Sequence, residues 1–146
     1  MRHEELQKTL ERAKRCLARR DYGEKELFTY LLQKGHARTD VEQVVKMLQS
    51  SGLLADLRYA QAYCRGRIQR GYGPLRIQQE LQQKGVDSDI IAEAMRKQNV
   101  DWTALVEKVR VKKFGPSKPD SFEAKQKQIR FLNYRGFDHS LVADVI

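Results

Sequence analysis

RGYGPLRIQQELQQKG, Arg70 to Gly85, sets the frame of the whole chain. Gly73 stands as an N-cap and Pro74 at the first helical position, where a missing N–H costs nothing. Gly85 supplies the left-handed residue that stops a helix. Between the two glycines lies one short helix, bounded at both ends by its own residues.

The same frame recurs fifty residues earlier. Tyr22-Gly23 falls on Tyr72-Gly73 and Lys34-Gly35 on Lys84-Gly85, with Arg15, Arg20, Leu31 and Gln33 on Arg65, Arg70, Leu81 and Gln83. That is eight identities over 21 positions, where chance gives about one or two. A third, fainter copy reads Phe114-Gly115, then Phe131-Leu132 and Arg135-Gly136. Its two glycines are 21 residues apart, against 12 in the other copies. The extra length lies near Pro116–Ser121, a loop composition.

Each copy is expected to hold three short helices: one ending at the Tyr/Phe-Gly pair, one running to the Lys/Arg-Gly pair, and a third with an apolar stripe. The stripes are Val41, Val44, Val45 and Leu48; then Ile90, Ile91, Ala94 and Met95; then Leu141, Val142 and Val145. Spacings of three and four place each set on one helix face. Helices this short are not stable alone and must bury those stripes on one another. The fold class expected is all-α, an elongated or curved array of three tandem three-helix repeats over residues 1–56, 57–100 and 101–146. The chain reaches Ile146 barely one helix past Gly136, which leaves the last bundle either minimal or trimmed.

Composition agrees with helices: 40% hydrophobic, 32% charged and only three prolines in 146 residues. The formal charge is +9, which favours a polyanionic partner, nucleic acid or an anionic membrane face. Eleven basic residues meet nine acidic ones over 1–56, eight meet four over 57–100, and nine meet six over 101–146. The surplus is therefore spread along the chain. No apolar run is long enough to span a membrane, and the N-terminus lacks the apolar core of a signal peptide, so a cytosolic protein is expected. Cys16 and Cys64 follow no metal or redox spacing and are expected as reduced, semi-buried thiols.

Nothing points to catalysis. His3, His36 and His139 have no ligand partner at helical spacing, and there is no phosphate-cradling glycine loop. Asp56 and Glu80 could join a metal site. The simpler expectation is that Asp56 caps the helix after it and Glu80 supports its own helix through Lys84 at i,i+4.

Residues 57–84 carry Arg58, Arg65, Arg67, Arg70, Arg76 and Lys84 against Glu80 alone. Leu57, Ala60, Cys64 and Ile68 share a narrow face, expected as the core seam. Tyr59, Tyr63, Arg67 and Arg70 lie on another, interleaving rings with guanidinium groups. Arginine forks match phosphate, and tyrosine can stack on bases or pack under arginine. Tyr59 is equally expected half-buried.

Residues 52–86, with RGYGPLRIQQELQQKG at their heart, resemble the signature of the RecX family of bacterial regulatory proteins. The weaker outer copies are similar to that family's tandem three-helix repeats. Leu57 departs from the pattern, since an acidic residue often follows the aspartate there. The resemblance implies a non-enzymatic regulator, usually an inhibitor, of the recombinase RecA. Such a protein lies in the groove of the RecA filament on single-stranded DNA and modulates ATPase, strand exchange and filament growth. It implies no cofactor, since ATP belongs to RecA, no membrane, and a monomer. An autonomous nucleic-acid-binding module is the alternative. The contact residues expected are Arg58, Tyr63, Arg65, Arg67, Arg70, Arg76 and Lys84 in the middle copy, and Lys112, Lys113, Lys125 and Lys127 in the third.

Overall fold

The computed structural model describes residues 2–146, with side chains from His3 onward. Among the described residues there are nine helices and no strands. They are α1 (Arg2–Arg19), α2 (Glu24–Gln33), α3 (Arg38–Ser50), α4 (Asp56–Gln69), α5 (Pro74–Gln83), α6 (Ser88–Gln98), α7 (Trp102–Phe114), α8 (Phe122–Tyr134) and α9 (His139–Val145). In sequence they form three tandem triplets.

The second helix of each triplet stops in the same way. Gly35, Gly85 and Gly136 have φ of +90°, +83° and +100°. In each, the residue after the glycine donates its N–H to a carbonyl five residues back: His36 to Leu31, Val86 to Leu81 and Phe137 to Leu132. This closes the last turn on itself. The starts differ. Gly23 and Gly73 precede α2 and α5, as expected. In the third triplet the extra residues move the start of the helix to Ser121, whose hydroxyl accepts from the Ala124 N–H. Gly115 does not match Gly73 in role. It has φ +89° and ends α7, as Gly71 (φ +83°) follows α4.

The chain packs as two compact units, residues 1–62 with 81–94 and residues 63–80 with 95–146. The first is built on Ala13 and Cys16 of α1, Leu27 and Leu31 of α2, the full α3 stripe, and Leu54. Tyr59 is only 5% exposed there, so it is core and not half-buried. Asp56 also departs from expectation. Its carboxylate accepts the Glu24 N–H at 2.7 Å, so it caps α2 and not the helix it begins. Ala55 supplies the carbonyl that starts α4.

The second unit centres on Val106, Leu132, Phe137, Val142 and Val145. Arg110 is 1% exposed and reaches the Ser117 carbonyl at 3.2 Å, while the Lys118 ammonium donates to the Val145 carbonyl. The loop between α7 and α8 is thereby held down by its own cations. The first turn of α5 leaves N–H groups without helical partners. Here the Gly73 N–H donates to the Arg135 carbonyl (2.7 Å) and the Leu75 N–H to that of Gly136 (3.1 Å). The end of α8 thus closes the start of α5. Both cysteines are free and buried. Burial pushes the Cys64 thiol up to about 11, which suppresses the reactive thiolate.

Candidate functional site

Helical spacing puts Tyr63 and Arg67 on one face of α4, and Arg76 and Glu80 on one face of α5. The two faces meet at the Glu80 carboxylate. Arg67 grips it with both fork positions, Nε to Oε1 at 2.9 Å and Nη2 to Oε2 at 2.7 Å. The Tyr63 hydroxyl donates to Oε1 at 2.9 Å and Arg76 Nε to Oε2 at 3.2 Å. Glu80 and Arg67 are each about four-fifths buried at the side chain. Burial alone would raise the Glu80 carboxyl, but the hydrogen bonds from Arg67, Tyr63 and Arg76 outweigh it and hold it below its ordinary value. Burial, with the Glu80 bond second, pushes the Tyr63 hydroxyl up to about 12.

Aromatic rings complete this joint. Arg67 lies 3.8 Å over the Tyr72 ring, with Arg76 at 4.5 Å and Arg135 at 4.7 Å from the same centroid. Arg76 also sits 4.9 Å from the Tyr134 ring and donates to the Tyr134 carbonyl at 3.2 Å. A desolvated cation over a ring is stabilised by about 1–2 kcal/mol. Within the fold, both Arg67 and Arg76 are thus engaged by Glu80 and the Tyr72 ring. Glu80, expected to support its helix through Lys84, is the anchor of two arginines and a tyrosine.

The other expected contact residues divide. Arg58 is exposed but engaged: it pairs with Asp21 at 2.6 Å and donates to the Gly52 and Leu53 carbonyls. Lys84 lines a shallow depression of the first unit with Arg20, Tyr22 and Lys25. Arg65, Arg70, Lys112, Lys113, Lys125 and Lys127 are exposed. Among the described residues none of these six side chains has a carboxylate partner.

The structure collects three of them. Arg70, Lys112 and Lys113 line one groove of the second unit together with Lys108 and Arg135. Among the described residues no acid lines it. Lys108 and Arg135 were not among the expected contacts. The i,i+4 spacing of Lys108 and Lys112 was a signal for the first. Arg135 was hidden because it also forms the Arg-Gly helix stop. Among the described residues no cluster of three His, Cys, Asp or Glu could hold a metal.

Family models of the first, second and third three-helix domains of RecX match residues 10–48, 56–95 and 100–146. The chain is 39% identical over 140 residues to a protein of Legionella pneumophila strain Corby named Regulatory protein RecX, covering 96% of this chain and 93% of that one. It is 38% identical over 130 residues to the protein of that name from Pseudomonas entomophila, covering 89% and 84%. A crystal structure of RecX from Lactobacillus salivarius shares the fold, with TM-score 0.79, 21% identity and coverage of 98% of this chain and 95% of that one. Another crystal structure of a regulatory protein RecX gives TM-score 0.83 at 24% identity, over 97% and 71%.

Proposed function

The chain belongs to the RecX family of regulatory proteins, and we propose that it regulates the recombinase RecA, usually by inhibition. In this reading it acts in the cytoplasm as a monomer and docks in the groove of the RecA filament on single-stranded DNA. Arg65, Arg70, Lys112, Lys113, Lys125 and Lys127 meet phosphates or acidic recombinase side chains. Occupancy of the groove blocks entry of a second duplex and resists the rearrangements coupled to ATP turnover. The observation that carries this is the set of exposed cations with no carboxylate partner among the described residues, distributed over tandem repeats. Several modest contacts on one chain add by multivalency.

The test is RecA ATPase on single-stranded DNA with this protein titrated in, followed by strand exchange. Both should fall with added protein; no change at any ratio refutes the reading. A direct nucleic-acid binder would instead bind bare single strands, with affinity falling steeply as salt rises. Docking on preformed filament through protein contacts is less salt-sensitive, so titrations on bare strand and on filament across salt separate the two.

A further inference from the structure

The basic groove of the second unit has a floor as well as a rim. It is an open cleft of about 540 Å³ bounded by the end of α4, the turn at Gly71, α7 and α8. Leu105, Lys108, Val109 and Lys112 fall on one stripe of α7, spaced three and four apart. That stripe alternates apolar floor with cationic rim. Ile68 extends the floor from α4. Ile68, Leu105 and Val109 stay half-buried, with none of the described residues covering them from the groove side. Gly71 makes the approach possible: a Cβ there would lie 2.9 Å from Val109 Cγ2.

Two features bear on what fits. Among the described residues Phe131 is the one aromatic side chain lining the cleft, and it already carries Lys113 at 5.4 Å and Arg135 at 5.3 Å over its ring. Its ring also meets Phe114 edge-on at 5.5 Å. No ring is left open for a base to stack on, which is what single-strand binding surfaces provide. Aliphatic floor beside unpaired ammonium groups is instead complementary to an apolar side chain flanked by carboxylates.

We propose that this groove docks an acidic peptide segment of a partner protein, with one leucine-like side chain on Ile68, Leu105 and Val109. Its flanking carboxylates meet Arg70, Lys108 and Lys112. Arg135 contributes less, because its Nη1 is held by the Arg70 carbonyl at 2.8 Å. The proposal holds whichever protein supplies the segment, so it stands or falls separately from the recombinase reading.

The probe is a short fluorescein-labelled peptide of glutamates and aspartates around one central leucine, titrated with the full chain by anisotropy. Saturable binding is expected at about 10–100 µM. The pair Lys108→Glu and Lys112→Glu should weaken it at least about tenfold. Reversing Lys8 and Lys14 on α1, an equal change in net charge, should shift it less than about twofold. Exchanging the peptide's leucine for serine should weaken it about tenfold. Circular dichroism melts of each variant establish that the fold is intact. Lack of binding, or binding indifferent to the groove pair, overturns the proposal. So does indifference to the leucine combined with displacement of the peptide by oligothymidylate, which would make the groove a nucleic-acid site. Peptide binding that persists while RecA ATPase is unaffected would keep the groove and refute only the recombinase reading.

Discussion

Arg67 and Arg76 lie beside Arg70 in sequence, and all three belong to the second unit, yet they are held in opposite ways. The first two share one carboxylate and one tyrosine ring and close a joint between helices. Arg70, with Lys108 and Lys112, lines a groove that no acid among the described residues enters. One set of cations contributes to the fold and the other stands without compensation. Charge counted along the sequence cannot separate them, because the surplus of six cations over one acid is the same number in either case. Position relative to Glu80 separates them.

The largest expected effect breaks the joint through its backbone. A Cβ on Gly136 would stand 2.4 Å from Arg76 Cβ, on a residue with φ +100°. Gly136→Ala therefore adds a clash to left-handed strain and should destabilise by about 3 kcal/mol. Gly35 has the same conformation, φ +90°, with nothing within 4 Å of its Cβ position. Gly35→Ala should cost only the strain, about 1 kcal/mol. Urea midpoints of the two variants measure the difference, and equal costs would mean that Arg76 gives way freely.

Next is the anchor itself. Glu80→Ala leaves Arg67 and Arg76 partly buried without their counter-charge, at a cost of about 2–3 kcal/mol. The sign of the pH effect follows from the direction of the shift. The folded-state carboxyl titrates below its ordinary value, so its contribution is complete above the unfolded-state value. It is lost as pH falls through the folded one. The stability gap between the native chain and Glu80→Gln should thus narrow on acidification from about pH 7 to pH 3. A gap that widened in acid would contradict the arrangement.

The joint and the groove also differ in how legible they were. Helix starts and stops could be read because glycine, proline and capping chemistry are local. The end of α7 at Phe114-Gly115 and the loop from Pro116 to Ser121 were legible in this way, from the repeated aromatic-glycine pair and the loop composition. Asp56 looked like the cap of its own helix, since only tertiary packing brings Glu24 to it. Glu80 was seen as one acid, but its two oxygens take four donors from two helices. Lys108 lies on α7 and Arg70 in the turn after α4, far apart in sequence, so neither spacing nor composition could have joined them.

The smallest expected effect is the most informative about function. Lys108 and Lys112 stand at i,i+4 on α7, both exposed, in a groove with no carboxylate among the described residues. Like charges at that spacing oppose a helix by about 0.2–0.5 kcal/mol. Lys112→Gln removes the repulsion while keeping a good helix former, so its urea midpoint should rise slightly or stay level. Arg67→Gln, which takes both fork bonds from Glu80, should lower it. A fall with Lys112→Gln would mean that the lysine has a structural role after all. A rise would show that folding gains nothing from this cation and is mildly opposed by it. What keeps it in place would then have to be sought in what enters the groove.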